Sequence, residues 1–200
     1  MPLDAELGEI DAALVSHVHF DHLDRPSLRM LGTDVTVVAP IGSRRLLRGF
    51  SAVTELDVDD EVRIGKVTVR ATPAEHQGTR LLTSAPSLGF LVSGSRRIYF
   101  AGDTDLFEGM SALAGSLDVA LLPVAGWGSK VGPGHLDPLR AARALQLLKP
   151  RVAVPIHWGT FSPLNQTTPA DPPETFLRHA AELAPEVEVR ILAPGVALTV

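Results

Sequence analysis

The chain contains no cysteine among its 200 residues. That absence excludes disulfide bonds, thiolate metal sites, cysteine nucleophiles and iron–sulfur clusters. A basic excess is also lacking, because 23 acidic residues outnumber 18 basic residues and leave a net charge of −5. We therefore expect no nucleic-acid-binding surface, which is normally basic, although a locally positive site can still bind a small anionic substrate.

Long apolar runs are missing as well. No stretch approaches the roughly 20 apolar residues that a membrane-spanning helix needs, so we expect no membrane span. The first residues lack the basic region and the apolar core of a signal peptide, and we expect a cytoplasmic protein. Because apolar residues make up 45% of the chain, we expect residues 1–200 to form a single domain with a sizeable core.

Short apolar runs alternate with helical patterns, which is typical of a layered α/β protein. Asp24 and Asp137 each precede a proline by one or two residues, and we predict that they cap helices at residues 25–31 and 139–148. A third helix is predicted at residues 173–183. The predicted strands are residues 12–16, 35–39, 62–64, 67–71, 88–92, 98–101, 119–123, 152–156, 187–192 and 196–200.

Three of the seven histidines lie in one short string, His17-Val18-His19-Phe20-Asp21-His22. The string follows a predicted strand, and an extended chain would project His17 and His19 to the same side, where both can hold one metal ion. Asp21 and His22 need a turn and can then face a second ion. The alternative is a solvated polar loop, which the rarity of such a string disfavours.

Three other candidate ligands each follow a predicted strand. His76 follows residues 67–71, Asp103 follows residues 98–101, and His157 follows residues 152–156. Side chains at the ends of several strands converge on one edge of a sheet, where α/β sites usually form. Gly102 and Gly159 flank two of these ligands and suit a backbone that passes close to a buried group.

The order of these motifs, H-x-H-x-D-H, a lone histidine, Gly-Asp-Thr and a last histidine, resembles the metallo-β-lactamase superfamily. Residues 155–161, with residues 134–138 ahead of a helix, are similar to the branch that contains N-acylphosphatidylethanolamine-hydrolysing phospholipase D and the ascorbate-6-phosphate lactonases. The resemblance runs from about residue 10 to the C-terminus. It implies a four-layer αββα sandwich and a metal-dependent hydrolase.

The resemblance also implies a set of ligands for two divalent ions. Imidazoles mixed with carboxylates suit Zn²⁺, with Mn²⁺ or Fe²⁺ as alternatives. A hydroxide bridging the ions would cleave a phosphodiester, a lactone or a related ester. One ion would be held by His17, His19 and His76, the other by Asp21, His22 and His157, with Asp103 bridging both.

Asp21 and His135 are the predicted catalytic residues. His135 is predicted to donate a hydrogen bond to the substrate or leaving group, and the alternative is that it braces the start of the following helix. Asp105 is either a partner of the ligands or a turn residue. His179 is predicted to lie on the surface, and Trp127, Trp158 and Phe161 either line the pocket or simply pack.

The chain departs from the superfamily pattern at its start, because only sixteen residues precede His17. The opening hairpin of the fold is therefore expected to be missing. The apolar run at residues 12–15 predicts an inner strand, and such a strand needs neighbours on both sides. We expect either an upstream extension of about 40 residues in the gene, the size of a strand pair with its connections, or a homodimer that covers the open edge.

Two other functions fit the same ligands. One is an iron-dependent oxidoreductase of the same fold, such as a persulfide dioxygenase. The other is a metal-binding relic without catalysis. Seven predicted ligands favour two ions over the single iron of an oxygenase, so the metal content would separate the three interpretations.

Overall fold

A computed structural model describes residues 9–80, 82–125, 131–159, 171–193 and 195–200. These residues contain twelve strands and three α-helices. The strands are β1 Ala12–Leu14, β2 Thr36–Pro40, β3 Val53–Leu56, β4 Glu61–Ile64, β5 Val67–Pro73, β6 Thr79–Arg80, β7 Thr83–Ser84, β8 Leu88–Ser93, β9 Arg97–Phe100, β10 Val119–Pro123, β11 Val152–Ile156 and β12 Glu188–Val189. The helices are α1 Arg25–Met30, α2 Pro138–Leu148 and α3 Pro172–Leu183.

The strands pair into one large sheet, one small sheet and a separate hairpin. The large sheet is mixed, with the order β12-β11-β10-β9-β8-β5-β4, and the small sheet is parallel, with the order β1-β2-β3. The β6–β7 hairpin stands apart from both sheets. Strands β5, β9, β10 and β11 all run in the same direction, because β8 is antiparallel to both β5 and β9. Their carboxyl ends therefore meet at one edge.

Three apolar cores arrange these sheets and helices in four layers. Leu28 of α1 packs with Val37 of the small sheet, and Phe90 of the large sheet lies in the core that the two sheets share. Leu145 of α2 and Phe176 of α3 pack on the outer face of the large sheet. This sequence of helix, sheet, sheet and helix confirms the predicted αββα arrangement.

Local sequence explains where α2 begins and ends. Asp137 accepts a hydrogen bond from the backbone N–H of Arg140 at 2.8 Å, as an N-cap aspartate does, and Pro138 occupies the first helical position. The helix ends at Leu148, and the φ of +47° at its C-cap residue Lys149 is left-handed. The predicted cap at Asp137 is thus confirmed. None of the helices in the described part of the chain is long and apolar enough to cross a membrane.

The predicted strand at residues 196–200 is wrong, and residues 187–192 form only the short β12. Leu198 and Val200 instead pack their side chains on the face of the large sheet, beside Val152 and Val154 of β11. Alternating apolar residues indicate that one face of a segment is buried. Here that face packs on the large sheet, but the segment does not pair with an edge strand of the sheet. Strand β3 and the β6–β7 hairpin were not predicted.

The strand predicted at residues 12–16 is the shorter β1, which pairs with β2 alone in the described part of the chain and so has one open edge there. The three residues of β1 are only partly buried, since one face borders a cavity of about 620 Å³ between β1 and β5. Leu14, Ile64 and Val69 are among the residues that line it. Coverage of this edge by an upstream extension or by a second copy stays a prediction.

We expect Phe176→Ala to lower the free energy of unfolding by about 3–5 kcal/mol, because it removes a fully buried ring from the core beneath α3. The neighbouring Leu177 is 37% exposed, and Leu177→Ala should cost about 0.5 kcal/mol or less. Urea denaturation followed by circular dichroism measures both. Equal losses in the two variants would contradict this account of how α3 packs.

Candidate metal centre

The loop after β1 is fixed to both sheets before it presents its first histidine. Val15 N–H donates to Val38 O at 2.8 Å in the small sheet, and Leu88 N–H of the large sheet donates to Ser16 O at 2.8 Å. The chain then turns, with Leu23 N–H donating to His19 O at 2.8 Å. An extended stretch followed by this turn aims the histidines and the aspartate of the loop at a common centre.

Three more predicted ligands reach the centre from the large sheet. His76 lies three residues beyond β5, Asp103 three residues beyond β9, and His157 directly after β11. Since these strands run in the same direction, their carboxyl ends bring the three side chains together. His157 has a φ of +59°, a left-handed conformation that is uncommon for residues other than glycine and is often found at functional sites.

His17, His19 and His76 form the first group of donor atoms. His19 Nδ1 lies 3.0 Å from His17 Nε2 and 3.1 Å from His76 Nε2. Ligand atoms of a tetrahedral ion with bonds of about 2.0–2.1 Å stand roughly 3.3 Å apart, so this spacing fits one such ion. Burial lowers the pKa of His17 far below its ordinary value, and it also lowers that of His76. Both rings therefore favour the neutral form that ligates metals.

Asp21, His22 and His157 form the second group. His22 Nε2 and His157 Nε2 lie 3.3 Å apart, and each is 3.7 Å from Asp21 Oδ2. Burial acts to lower the pKa of His157, but the carboxylates of Asp21 and Asp103 raise it to about 9. The negative potential that holds a proton on this ring favours any cation at the same place.

Asp103 lies between the two groups. Its Oδ2 is 3.2 Å from His22 Nε2 and 4.0 Å from His17 Nε2, and its Oδ1 is 3.5 Å from His157 Nε2. Burial acts to raise its pKa, yet these three imidazoles hold the pKa of Asp103 well below its usual range. A buried carboxylate flanked on both sides in this way has the geometry of a ligand shared by two ions.

Two carbonyl groups fix the orientation of ligand rings from behind. His76 Nδ1 lies 2.8 Å from Gly134 O, and His157 Nδ1 lies 2.9 Å from Ala125 O. Because a carbonyl only accepts hydrogen bonds, both Nδ1 atoms must carry the proton. Each Nε2 is thereby directed at the centre, where the neutral ring offers its lone pair, which is how histidine ligands are usually oriented.

The residues present fit divalent cations. Asp103 Oδ1 is buried, and in the described residues it accepts no hydrogen bond. Imidazole nitrogens with two carboxylates are donors that Zn²⁺, Mn²⁺ and Fe²⁺ all accept. The groups that can hold an ion are His17-His19-His76, His17-His22-Asp103, Asp21-His22-His157 and His76-Asp103-His135.

His135 also reaches the centre. Its Nε2 lies 3.6 Å from Asp103 Oδ2, and its ring meets the ring of His76 edge to face with centroids 4.6 Å apart. The Nδ1 atom is buried with no hydrogen bond from the described residues. All eight predicted site residues thus lie together, while their individual roles stay predictions.

The remaining candidates from the sequence are the aromatic residues and His179. Trp158 donates to Pro155 O at 3.0 Å and packs against the core beneath the helices. His179 is half-buried on α3 and belongs to none of the groups of possible ligands. Trp127 and Phe161 lie outside the described residues.

An exposed rim on the histidine string, formed by Phe20 and Arg80, was not predicted from the sequence. The Arg80 guanidinium lies 3.8 Å from the centroid of the Phe20 ring, and Phe20 is 62% exposed. Leu82, at the tip of the β6–β7 hairpin, is 92% exposed. A cavity of about 400 Å³ lies between His76 and this hairpin. Phe20 sits inside the histidine string, but the partner that places it on the rim is 60 residues away in sequence.

A four-layer αββα fold with this cluster of histidines and aspartates at its strand ends defines a protein of the metallo-β-lactamase fold. The chain belongs to the beta-lactamase superfamily, since the family of beta-lactamase superfamily domains matches residues 1–158. It is therefore a metal-dependent hydrolase of that superfamily, as the motifs indicated.

Known relatives agree with this assignment. A UPF0173 metal-dependent hydrolase of Rubrobacter xylanophilus is 36% identical over 204 residues, covering 95% of this chain and 79% of the relative. An N-acyl-phosphatidylethanolamine-hydrolyzing phospholipase D of Caenorhabditis elegans is 30% identical, covering 81% of this chain and 52% of the relative. The solved structure of Igni18, a metallo hydrolase of Ignicoccus hospitalis, superposes with a TM-score of 0.75 at 25% identity, covering 94% of this chain and 78% of Igni18. The predicted resemblance to the phospholipase D branch is thus confirmed.

We expect Gly102→Ala to lower the free energy of unfolding by at least about 3 kcal/mol. Its φ is +62°, and an added Cβ would lie 2.7 Å from Leu88 O and 2.9 Å from Ser16 Cβ, so backbone strain and a clash add together. Gly159 has a φ of +77° and nothing near its Cβ position, so Gly159→Ala should cost about 1–2 kcal/mol. Thermal unfolding compares the two. A smaller loss at Gly102 than at Gly159 would refute the close approach.

Proposed function

We propose that the chain is a dinuclear metal-dependent hydrolase that cleaves a phosphodiester, a lactone or a related ester of a small anionic molecule. The observation that carries the proposal is the position of Asp103. Its two oxygens lie within 3.2–4.0 Å of His17, His22 and His157, which come from both groups of donors. A single ion would not need a carboxylate shared between two separate sets of imidazoles.

The residues around the centre have separate tasks in this proposal. The chemistry that two divalent ions supply when bound is a water nucleophile of lowered pKa and a polarised substrate oxygen. Asp103 holds the two ligand groups at a fixed separation. Asp21 contributes the second carboxylate beside His22 and His157. His135, whose Nε2 faces the centre, donates a hydrogen bond to the substrate or to its leaving group.

The charge and shape of the surroundings support a small anionic substrate. Two bound divalent ions outweigh the carboxylates of Asp21 and Asp103, so the site would be positive within an acidic protein. Arg80 on the rim adds a cation, and Phe20 adds an apolar surface beside it. The cavity of about 400 Å³ next to His76 is within the size range of small-molecule sites.

The alternative functions are less well supported. An iron-dependent oxidoreductase with one ion would leave half of the donor atoms without a task. A non-catalytic relic would not need His135, which reaches the centre without belonging to the predicted ligand set. Zinc remains the expected ion and manganese or iron the alternatives, because the donor types do not separate them.

Metal analysis of the purified chain tests the two-ion proposal. We expect about two zinc or manganese ions per chain, as the separate ligand groups imply.

Asp103→Ala should lose both ions and lower hydrolysis by at least ~100-fold, since the shared carboxylate supports both groups. His179→Ala is the matched control and should change neither. The assay is hydrolysis of bis-p-nitrophenyl phosphate, lactones and β-lactams by metal-replete protein. Two ions per chain in Asp103→Ala, or a single iron in the wild type, would refute the proposal.

The role of His135 is tested separately. We expect His135→Ala to lower turnover of the best substrate in that panel by about 10²–10⁴-fold, the usual contribution of a group that acts on a proton in the transition state. Its metal content should equal that of the wild type, because His135 is not among the seven predicted ligands. Loss of metal from this variant, measured by atomic emission, would show that His135 is a ligand instead.

A further inference from the structure

Asp105 connects three loops at the edge of the centre. Its backbone N–H donates to Glu75 O at 3.0 Å, which fixes the loop before His76. Its carboxylate accepts from Leu106 N–H at 2.7 Å within its own loop and from Gly134 N–H at 3.2 Å in the loop before α2. Asp105 is none of the predicted ligands, so these contacts need another explanation.

Asp105 binds the peptide group of Gly134, which contacts His76 and directly precedes His135. Gly134 donates its N–H to Asp105 Oδ2, while its C=O accepts from His76 Nδ1 at 2.8 Å. The next residue along the chain is His135. One glycine thus orients the ring of His76 and also carries His135, and a Cβ at this glycine would approach His76 Nδ1 to 3.2 Å.

Arg140 keeps the Asp105 carboxylate in place. Its Nη1 donates to Asp105 Oδ1 at 2.5 Å, and its Nε donates to Asp137 Oδ2 at 3.2 Å. The Asp105 and Arg140 side chains are 21% and 29% exposed, so water competes only in part for this contact. Partial burial acts to raise the pKa of Asp105, but the hydrogen bonds from Leu106, Gly134 and Arg140 hold it below its usual value.

We propose that Asp105 is a positioning residue that, held by Arg140, sets the orientation of His76 and the place of His135 through the Gly134 peptide. The inference rests on the proposed metal centre, to which both histidines belong. Without the carboxylate, Gly134 N–H would lose its partner and the Gly134 carbonyl would no longer be fixed against His76 Nδ1. The ring of His76 would then rotate, and its ion would bind more weakly.

The test compares Asp105→Ala with Asp118→Ala as a matched control. Asp118 also accepts a backbone N–H, that of Arg97 at 2.8 Å, and lies 3.8 Å from the Arg96 Nε. Its side chain is 25% exposed, and it stands directly before β10, at the end of the sheet opposite the centre. The two substitutions should therefore cost similar stability and differ only in what they do to the centre.

The first readout is nuclear magnetic resonance of ring N–H protons in the zinc-loaded chain. His76 Nδ1–H and His157 Nδ1–H both donate to carbonyls, so each should give a slowly exchanging signal, assigned with His76→Gln and His157→Gln. Asp105→Ala should broaden or remove the His76 signal and retain that of His157. Asp118→Ala should retain both.

The second readout is zinc affinity by competition with a colorimetric chelator. Asp105→Ala should bind one of the two ions about 10–100-fold more weakly, the usual effect of losing a group that orients a ligand. Asp118→Ala should stay within twofold of the wild type. An unchanged His76 signal together with unchanged zinc affinity in Asp105→Ala would overturn the proposal, as would equal effects in the two variants.

Two provisions keep the test decisive. If Asp105→Ala does not fold, Asp105→Asn is measured in the same way. Gly134 and Arg140 donate to different oxygens of the carboxylate, and the amide nitrogen that replaces one of these oxygens cannot accept a hydrogen bond. A smaller but equally selective loss of the His76 signal supports the proposal, and no loss overturns it. Failure of the hydrolase panel leaves this result intact. If zinc does not bind, the same signals are recorded without added metal.

Discussion

The structure depends on one electrostatic constraint, a buried carboxylate placed among imidazoles. Asp103 has lost most of its contact with water, and only positive or hydrogen-bonding neighbours compensate a buried charge. His17, His22 and His157 provide them from two different sheets. The parallel strands, the left-handed Gly102 and the carbonyls behind the rings are all arranged so that this carboxylate is approached from several directions.

Most of the centre could be predicted because its signals are local. The string from His17 to His22 is contiguous, and His76, Asp103 and His157 each follow an apolar run that reads as a buried strand. Periodicity alone failed at residues 196–200, where an apolar face does not imply strand pairing. The contacts of Arg140 with Asp105, 35 residues apart, and of Arg80 with Phe20 had no local signal.

Strands and loops position the side chains of the centre in different ways. The ligands are carried by short segments that leave strand ends at once, so the sheets determine their positions within narrow limits. The loop before α2 has no such support. In the described residues its Gly134 is held by two side chains, because its N–H donates to the Asp105 carboxylate and its carbonyl accepts from His76 Nδ1. Precision at His135 thus depends on hydrogen bonds rather than on secondary structure, and these are lost more easily than a strand register.

The hydrogen bonds that fix Ser16 and Val15 to different sheets have a mechanical consequence. The histidine string begins directly after these two residues, where the small sheet meets the large one. His76, Asp103 and His157, in contrast, are carried by the large sheet alone. A cation bound by both sets would act as a cross-link between the layers. Its binding free energy would then add to the cohesion of the sandwich, so that metal supply would govern how long the folded chain persists as well as what it can catalyse.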